Sequence, residues 1–218
     1  MAPEPAAPRL PPLYAICDAD VCARAGWTVV DFASACAEGG ASLLQVRAKS
    51  WAGGPLLDTV AAIVERTAGA GALIVVNDRA DAARLAGAAG VHVGQDDLSP
   101  SAARAIVGRQ AIVGLSTHTV AQIEGAVREP VTYVAVGPVF GTATKDTGYH
   151  AVGTDLVRYA VSRTGPSLPV VAIGGITLGN CEEALAAGAT SVAVISDLLA
   201  TADPAGRVRQ FLDRLGSR

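Results

Sequence analysis

Eight times along this 218-residue chain a short apolar run, rich in β-branched residues, gives way to a polar loop. A stretch with helical spacing follows each loop, commonly closed by glycine before the next run. Runs such as LIVV and VVAI show little alternation, as expected of parallel strands buried on both faces. The pattern predicts strands over 13–17, 43–46, 73–76, 91–93, 112–114, 133–136, 170–173 and 192–195. It predicts helices over 29–37, 55–68, 80–86, 100–107, 120–127, 154–163, 178–187 and 204–215, with Gly39, Gly87 and Gly188 placed as glycines that follow helix ends. EGGASLLQV, AGAAGVHVG and AAGATSVAV share a Gly/Ala turn into a strand, a weak internal repeat. Consecutive βα units in a chain of this length predict a single-domain α/β fold, a (β/α)8 TIM barrel over 13–218, with a doubly wound open sheet as the alternative.

Composition narrows the partners. Half of the residues are hydrophobic but only 4% are aromatic, so the core is built from aliphatic and small side chains. A formal charge of -3 lacks the clustered Lys and Arg of a nucleic-acid binder. Despite a mean hydropathy of +0.38, no apolar window approaches the roughly 18 residues of a membrane span. Cys17, Cys22, Cys36 and Cys181 have no paired metal-ligand spacing and read as reduced, buried thiols, which makes a cytoplasmic location the default expectation. Residues 1–12 hold five prolines and no continuous apolar stretch, and read as a disordered tail rather than a signal peptide.

In a barrel, chemistry belongs at the C-terminal ends of the strands. Strand 2 runs out through Gln45, Arg47 and Lys49, which alternate to one side; strand 3 ends in Asn77 and Asp78; strand 4 in Gly94, Gln95, Asp96 and Asp97; strand 5 in Ser116, Thr117 and His118. Strand 6 leads to GTATK with Thr142, Thr144 and Lys145, strand 7 to Gly174 and Gly175, and strand 8 to Ile195, Ser196 and Asp197. The last two exits are where many such barrels hold a phosphate on backbone N–H groups. Neighbouring parallel strands 3 and 4 would bring Asp78 and Asp97 to one space, where two carboxylates suit a hard divalent cation. The same two residues could instead cap the helices that follow. Of 17 basic residues only Lys49 and Lys145 are lysine, and both sit at strand exits, where a compact ammonium suits phosphate. His92, between two valines, reads as a core histidine, and His150 as solvated.

LLQVRAKS, VVNDRADAARLAGAAGVHVGQDDLS, GLSTHT, YVAVGPVFGTATK, VVAIGGIT and AGATSVAVIS, in this order, resemble the thiamine phosphate synthase family across nearly the whole chain. NDRAD with GVHVGQDDL is the most specific part. The resemblance implies a barrel that joins hydroxymethylpyrimidine diphosphate to thiazole phosphate with Mg²⁺, releasing pyrophosphate. It implies Asp78 and Asp97 as Mg²⁺ ligands; Arg47, Lys49, Asn77 and Lys145 around the diphosphate; and Gln45 and Ser116 near the pyrimidine and its leaving group. Thr142, Thr144, Gly175, Ile195 and Ser196 match the thiazole phosphate site, and Lys145, Arg47 and Ser116 carry the catalytic roles. The sequence departs from the family pattern at Gly141, where Pro is usual, at REPVT before Tyr133, and in KDTGYHAVG, which bears on loop geometry more than on chemistry. A sister group of metal-independent thiazole tautomerases with a histidine at the position of His118 is the alternative, and a barrel that only binds phosphorylated thiazole or thiamine phosphate is a third. A homo-oligomer is compatible with each.

Overall fold

The computed structural model describes residues 10–141 and 150–216. Its elements are β1 (Leu13–Asp18), α1 (Ala19–Arg24), α2 (Val29–Glu38), β2 (Leu43–Arg47), α3 (Gly53–Thr67), β3 (Leu73–Asn77), α4 (Ala80–Leu85), β4 (Gly90–Val93) and α5 (Pro100–Val107). They continue with β5 (Ile112–Thr117), α6 (Val120–Ala126), β6 (Tyr133–Val136), α7 (Gly153–Thr164), β7 (Val170–Ile173), α8 (Cys181–Ala186), β8 (Ser191–Val194) and α9 (Pro204–Gly216). The eight strands are parallel, each pairs with the next, and β8 pairs back on β1 through Leu13–Val192 and Ala15–Val194. The sheet is therefore a closed (β/α)8 barrel and the open-sheet alternative is excluded.

Strand side chains divide by parity because successive residues point to opposite faces. Leu13, Ala15 and Cys17 join the layer between sheet and helices, whereas Tyr14 and Ile16 fill the barrel with Leu43, Val75, Ile112, Tyr133, Val171 and Ala193. Helix α5 shows how the outer ring is specified. The Ser99 hydroxyl accepts from the Ala102 N–H at 3.2 Å, Pro100 takes the first turn, and Gly108 ends the helix at φ 95°. The buried stripe of Ala103 and Val107 docks the helix, a valine burial being worth about 1.5 to 3 kcal/mol.

Besides shifts of one to three residues at other element ends, the structure departs from the sequence expectation in three places that shape the site. β5 runs to Thr117 rather than 114, because the buried Thr117 hydroxyl donates to the Ala135 carbonyl at 3.0 Å and so costs the strand nothing to carry. This also turns Thr117 away from the barrel interior. Helix α1 was not anticipated, since six residues give too short a period to read. Leu10 is buried among the barrel-filling residues and the Pro12 carbonyl accepts from the Val192 N–H at 2.9 Å. Packed chain thus begins within the stretch assigned to the tail.

Candidate functional site

At the mouth of β1 and β2, Asp18 and Arg47 are register partners and form a short ion pair between Arg47 Nη1 and Asp18 Oδ2. The other Asp18 oxygen accepts from the Val21 N–H at 3.1 Å and so caps α1. One carboxylate thereby fixes both a helix start and a guanidinium. Arg47 Nε is buried without a hydrogen-bond partner among the described residues, an unsatisfied donor that the site retains.

Asn77 closes β3 beside His92 of β4. Asp78 follows with φ 66°, a left-handed conformation that Asp and Asn tolerate better than other non-glycine residues. Its N–H still donates to the His92 carbonyl at 2.7 Å, so the ladder is kept while the side chain turns. The Asp78 carboxylate lies 3.2 Å from Lys49 Nζ. Burial, and next the Asp97 carboxylate beside it, push the Asp78 carboxyl up, with Lys49 opposing. Asp97 Oδ2 accepts from the Gly94 N–H at 2.8 Å. The capping alternative fails for both: α4 is preceded by Arg79 with no side-chain cap, and α5 is capped by Ser99. Two carboxylates therefore share one space at the ends of β3 and β4. No cluster of three or more His, Cys, Asp or Glu suited to a metal occurs among the described residues, so any ion here would complete its shell with other oxygens. Asp96, next to Asp97, is exposed.

Below the mouth, polar side chains cross the barrel. Gln45 Nε2 donates to the Tyr14 hydroxyl at 2.8 Å, the Tyr14 and Tyr133 hydroxyls are 3.0 Å apart, and His92 Nδ1 lies 2.8 Å from the Tyr133 hydroxyl. His92 Nε2 lies 2.8 Å from Ser116 Oγ. The Tyr133 and His92 rings stack with an 18° interplanar angle. Gly114 makes room for them, because a Cβ there would strike the Tyr133 ring and His92 Nδ1. Gln95 reaches over to the Ser116 carbonyl at 2.6 Å. His92 is a buried, partnered histidine, as its sequence context implied. Its contact with Ser116, and the two tyrosines that connect it to Gln45, went unread because a tyrosine in an apolar strand looks like any core residue.

On the opposite side, Gly174 and Gly175 take φ 99° and 64° at the β7 exit. Side chains are barred there because Pro138 presses against Gly174, and Phe140 and the Gly141 carbonyl against Gly175. The Asn180 side-chain amide donates to the Gly175 carbonyl at 2.9 Å. Ile195 and Ser196 leave β8 into a short 3-10 turn, Ser196–Leu199. Asp197 in that turn pairs with Arg207 at 2.7 Å and accepts from the Leu178 N–H at 3.1 Å, which ties the β7 and β8 exits to α9. His118 Nδ1 lies 2.5 Å from the Gly137 carbonyl oxygen and must carry a proton to donate there. Thr142, Thr144 and Lys145 lie outside the described residues.

The family model described as thiamine monophosphate synthase matches residues 13–198. A thiamine-phosphate synthase of Koribacter versatilis is 44% identical over 96% of this chain and 98% of its own length. One from Methanoculleus marisnigri is 42% identical over 94% of this chain and 95% of its own. Among solved structures, a thiamine phosphate pyrophosphorylase from Pyrococcus furiosus superposes with a TM-score of 0.83 at 27% identity, covering 94% of this chain and 95% of the other. A native KDPGal structure, 18% identical with a TM-score of 0.69 over 94% of both chains, shares the fold alone.

Proposed function

This chain belongs to the thiamine monophosphate synthase family, and from that premise we propose that it transfers the hydroxymethylpyrimidine group from its diphosphate to thiazole phosphate. The C–O bond to the diphosphate breaks, a bond from the methylene carbon to the thiazole nitrogen forms, and pyrophosphate and thiamine phosphate leave. One observation supports the reading above the others: Asp78 and Asp97 converge beside Lys49 while Arg47 is held by Asp18 one strand away. Burial and then the Asp97 carboxylate raise the proton affinity of Asp78, so the site is short of positive charge, and hard oxygen donors fit Mg²⁺. When bound, Mg²⁺ would neutralise charge growing on the departing pyrophosphate.

The remaining work falls to side chains. Arg47 and Asn77 line the space next to the carboxylates and would receive the diphosphate, Arg47 through fixed N–H donors. Lys145 joins them on the family resemblance. Gln45 and Ser116 would orient the pyrimidine from below. The β7 and β8 exits, with Gly175, Ile195 and Ser196, together with Thr142 and Thr144, would hold the thiazole phosphate and so keep its nitrogen near the methylene carbon, an orientation effect. An amino-substituted pyrimidine delocalises positive charge, so C–O cleavage can run ahead of attack and no side-chain nucleophile is needed.

The test is a matrix of omitted components. Pyrophosphate should appear only with pyrimidine diphosphate, thiazole phosphate and Mg²⁺ together, and Asp97→Asn should lower turnover far more than His118→Asn. A tautomerase would isomerise the thiazole without metal and lose that activity in His118→Asn. Metal-independent isomerisation with no pyrophosphate under any combination overturns the proposal.

A further inference from the structure

The side chains that cross the barrel form an unbroken sequence of hydrogen bonds: Gln45 to Tyr14, Tyr14 to Tyr133, Tyr133 to His92, His92 to Ser116. Its two ends are the residues given to the pyrimidine above; its three middle members have no role there. The geometry points to Tyr14, Tyr133 and His92 as positioning residues that couple Gln45 to Ser116, so that the two act as one donor–acceptor pair toward an aminopyrimidine edge. This rests on the function proposed above and deepens it.

Proton counting carries the inference. Each phenol hydroxyl has one hydrogen, and a neutral imidazole donates from one nitrogen and accepts at the other. Burial pushes the acidity of both tyrosines well away from neutrality, so both hydroxyls keep their hydrogens. Heavy-atom distances leave each hydroxyl free to donate either way, but the hydrogens cannot be chosen independently, since an unpaired buried donor is costly. Two arrangements satisfy every internal link. In the first, Gln45 donates its amide N–H to Tyr14, Tyr14 donates to Tyr133, Tyr133 donates to His92 Nδ1, and His92 Nε2–H donates to Ser116. That leaves the Gln45 oxygen as an acceptor and the Ser116 hydroxyl as a donor at the outer ends. In the second, every link reverses, Gln45 turns its amide, and the outer roles exchange. The Ser116 hydrogen is free in the first and committed in the second, and the Gln45 amide turns its oxygen outward in the first and its nitrogen in the second, so a donor faces an acceptor in each. An amino group beside a ring nitrogen has that same split character. The Gln45 Nε2 contact with Tyr14 belongs to the first arrangement and donation from Tyr133 to Tyr14 to the second, so the His92 tautomer tells them apart.

Gly114 is the space this arrangement requires. Any side chain there would push apart Tyr133 and His92 at the centre of the sequence.

The experiment has two readouts. Histidine ¹⁵N NMR of the free protein should show His92 neutral with its proton on a single ring nitrogen, Nε2 for the first arrangement or Nδ1 for the second. The dissociation constant for the pyrimidine diphosphate, measured by calorimetry without thiazole, should show Gln45→Leu and Ser116→Ala to be non-additive by about threefold to tenfold. Tyr133→Phe, which keeps the ring, should make the two additive to within about twofold, and Tyr14→Phe should do the same one link earlier. The dissociation constant for thiazole phosphate should not change in either Phe variant. Full coupling retained in both Phe variants, additivity from the outset, or a doubly protonated His92 overturns the inference. Loss of the proposed function itself would show differently, as no pyrophosphate release from the unaltered protein, with His92 still a single neutral tautomer.

Discussion

Asp78 holds two unfavourable features at once, a left-handed backbone and a carboxylate crowded by another. Its folded-state acidity is weaker than in an unfolded chain, so its contribution to stability is lost as pH rises through the carboxylate range. Asn fits the same backbone and has no charge. Asp78→Asn should therefore raise the melting temperature in metal-free buffer at neutral pH, by on the order of 2 °C. Mg²⁺ should stabilise the unaltered protein and leave the variant unmoved, which a thermal scan with and without the ion would check. An Asp78→Asn protein that melts lower without metal and still responds to Mg²⁺ would contradict the charge-crowding account. Most of this cluster was legible from residue order: parallel strands 3 and 4 had to bring Asp78 near Asp97. Asp18 was not, because a carboxylate one residue past an expected strand end looks like a turn. Only the register reveals that it faces Arg47.

Elements carry the site through positions that look passive. Gly114 has no functional chemistry, yet Gly114→Ala should cost about 1 to 3 kcal/mol by overpacking, measured by denaturant unfolding. Combining it with Tyr133→Leu should recover part of that loss, whereas an equal loss in both backgrounds would mean that Tyr133 is not what the methyl meets. Asp197 joins three elements, so Asp197→Asn should weaken the tie to Arg207 while keeping an acceptor for the Leu178 N–H. The expected result is a raised KM for thiazole phosphate with little change for the pyrimidine diphosphate. Equal changes in both would indicate general loosening. Strand order, and helix order apart from α1, could be read from apolar periodicity alone. The length of β5 could not, because Thr117 disguises a strand as a loop, and the two tyrosines inside the barrel carry no sequence mark to separate them from outward-facing core.

For the molecule as a whole, all four cysteines are buried; burial drives the Cys22 thiol up to about 12 and Cys181 upward, while the neighbouring Cys36 thiol, and next burial, raise Cys17. A thiol reagent at neutral pH should therefore label none of them in the native protein and all four in denaturant. Rapid native labelling of any one would show that the helix layer over β1 opens readily. Closure of the sheet has a further consequence during synthesis on the ribosome. The strands that bear the carboxylates emerge in the first half of the chain, but β1 waits for β8, whose last residue is Val194. Until then the nascent chain presents two bare strand edges, β1 and β7, each able to pair with another copy. A chain arrested between β7 and β8 would thus be a candidate for self-association between polysome neighbours, and slowing the final stretch of translation should lower yield more than slowing the stretch that encodes Asp78 and Asp97.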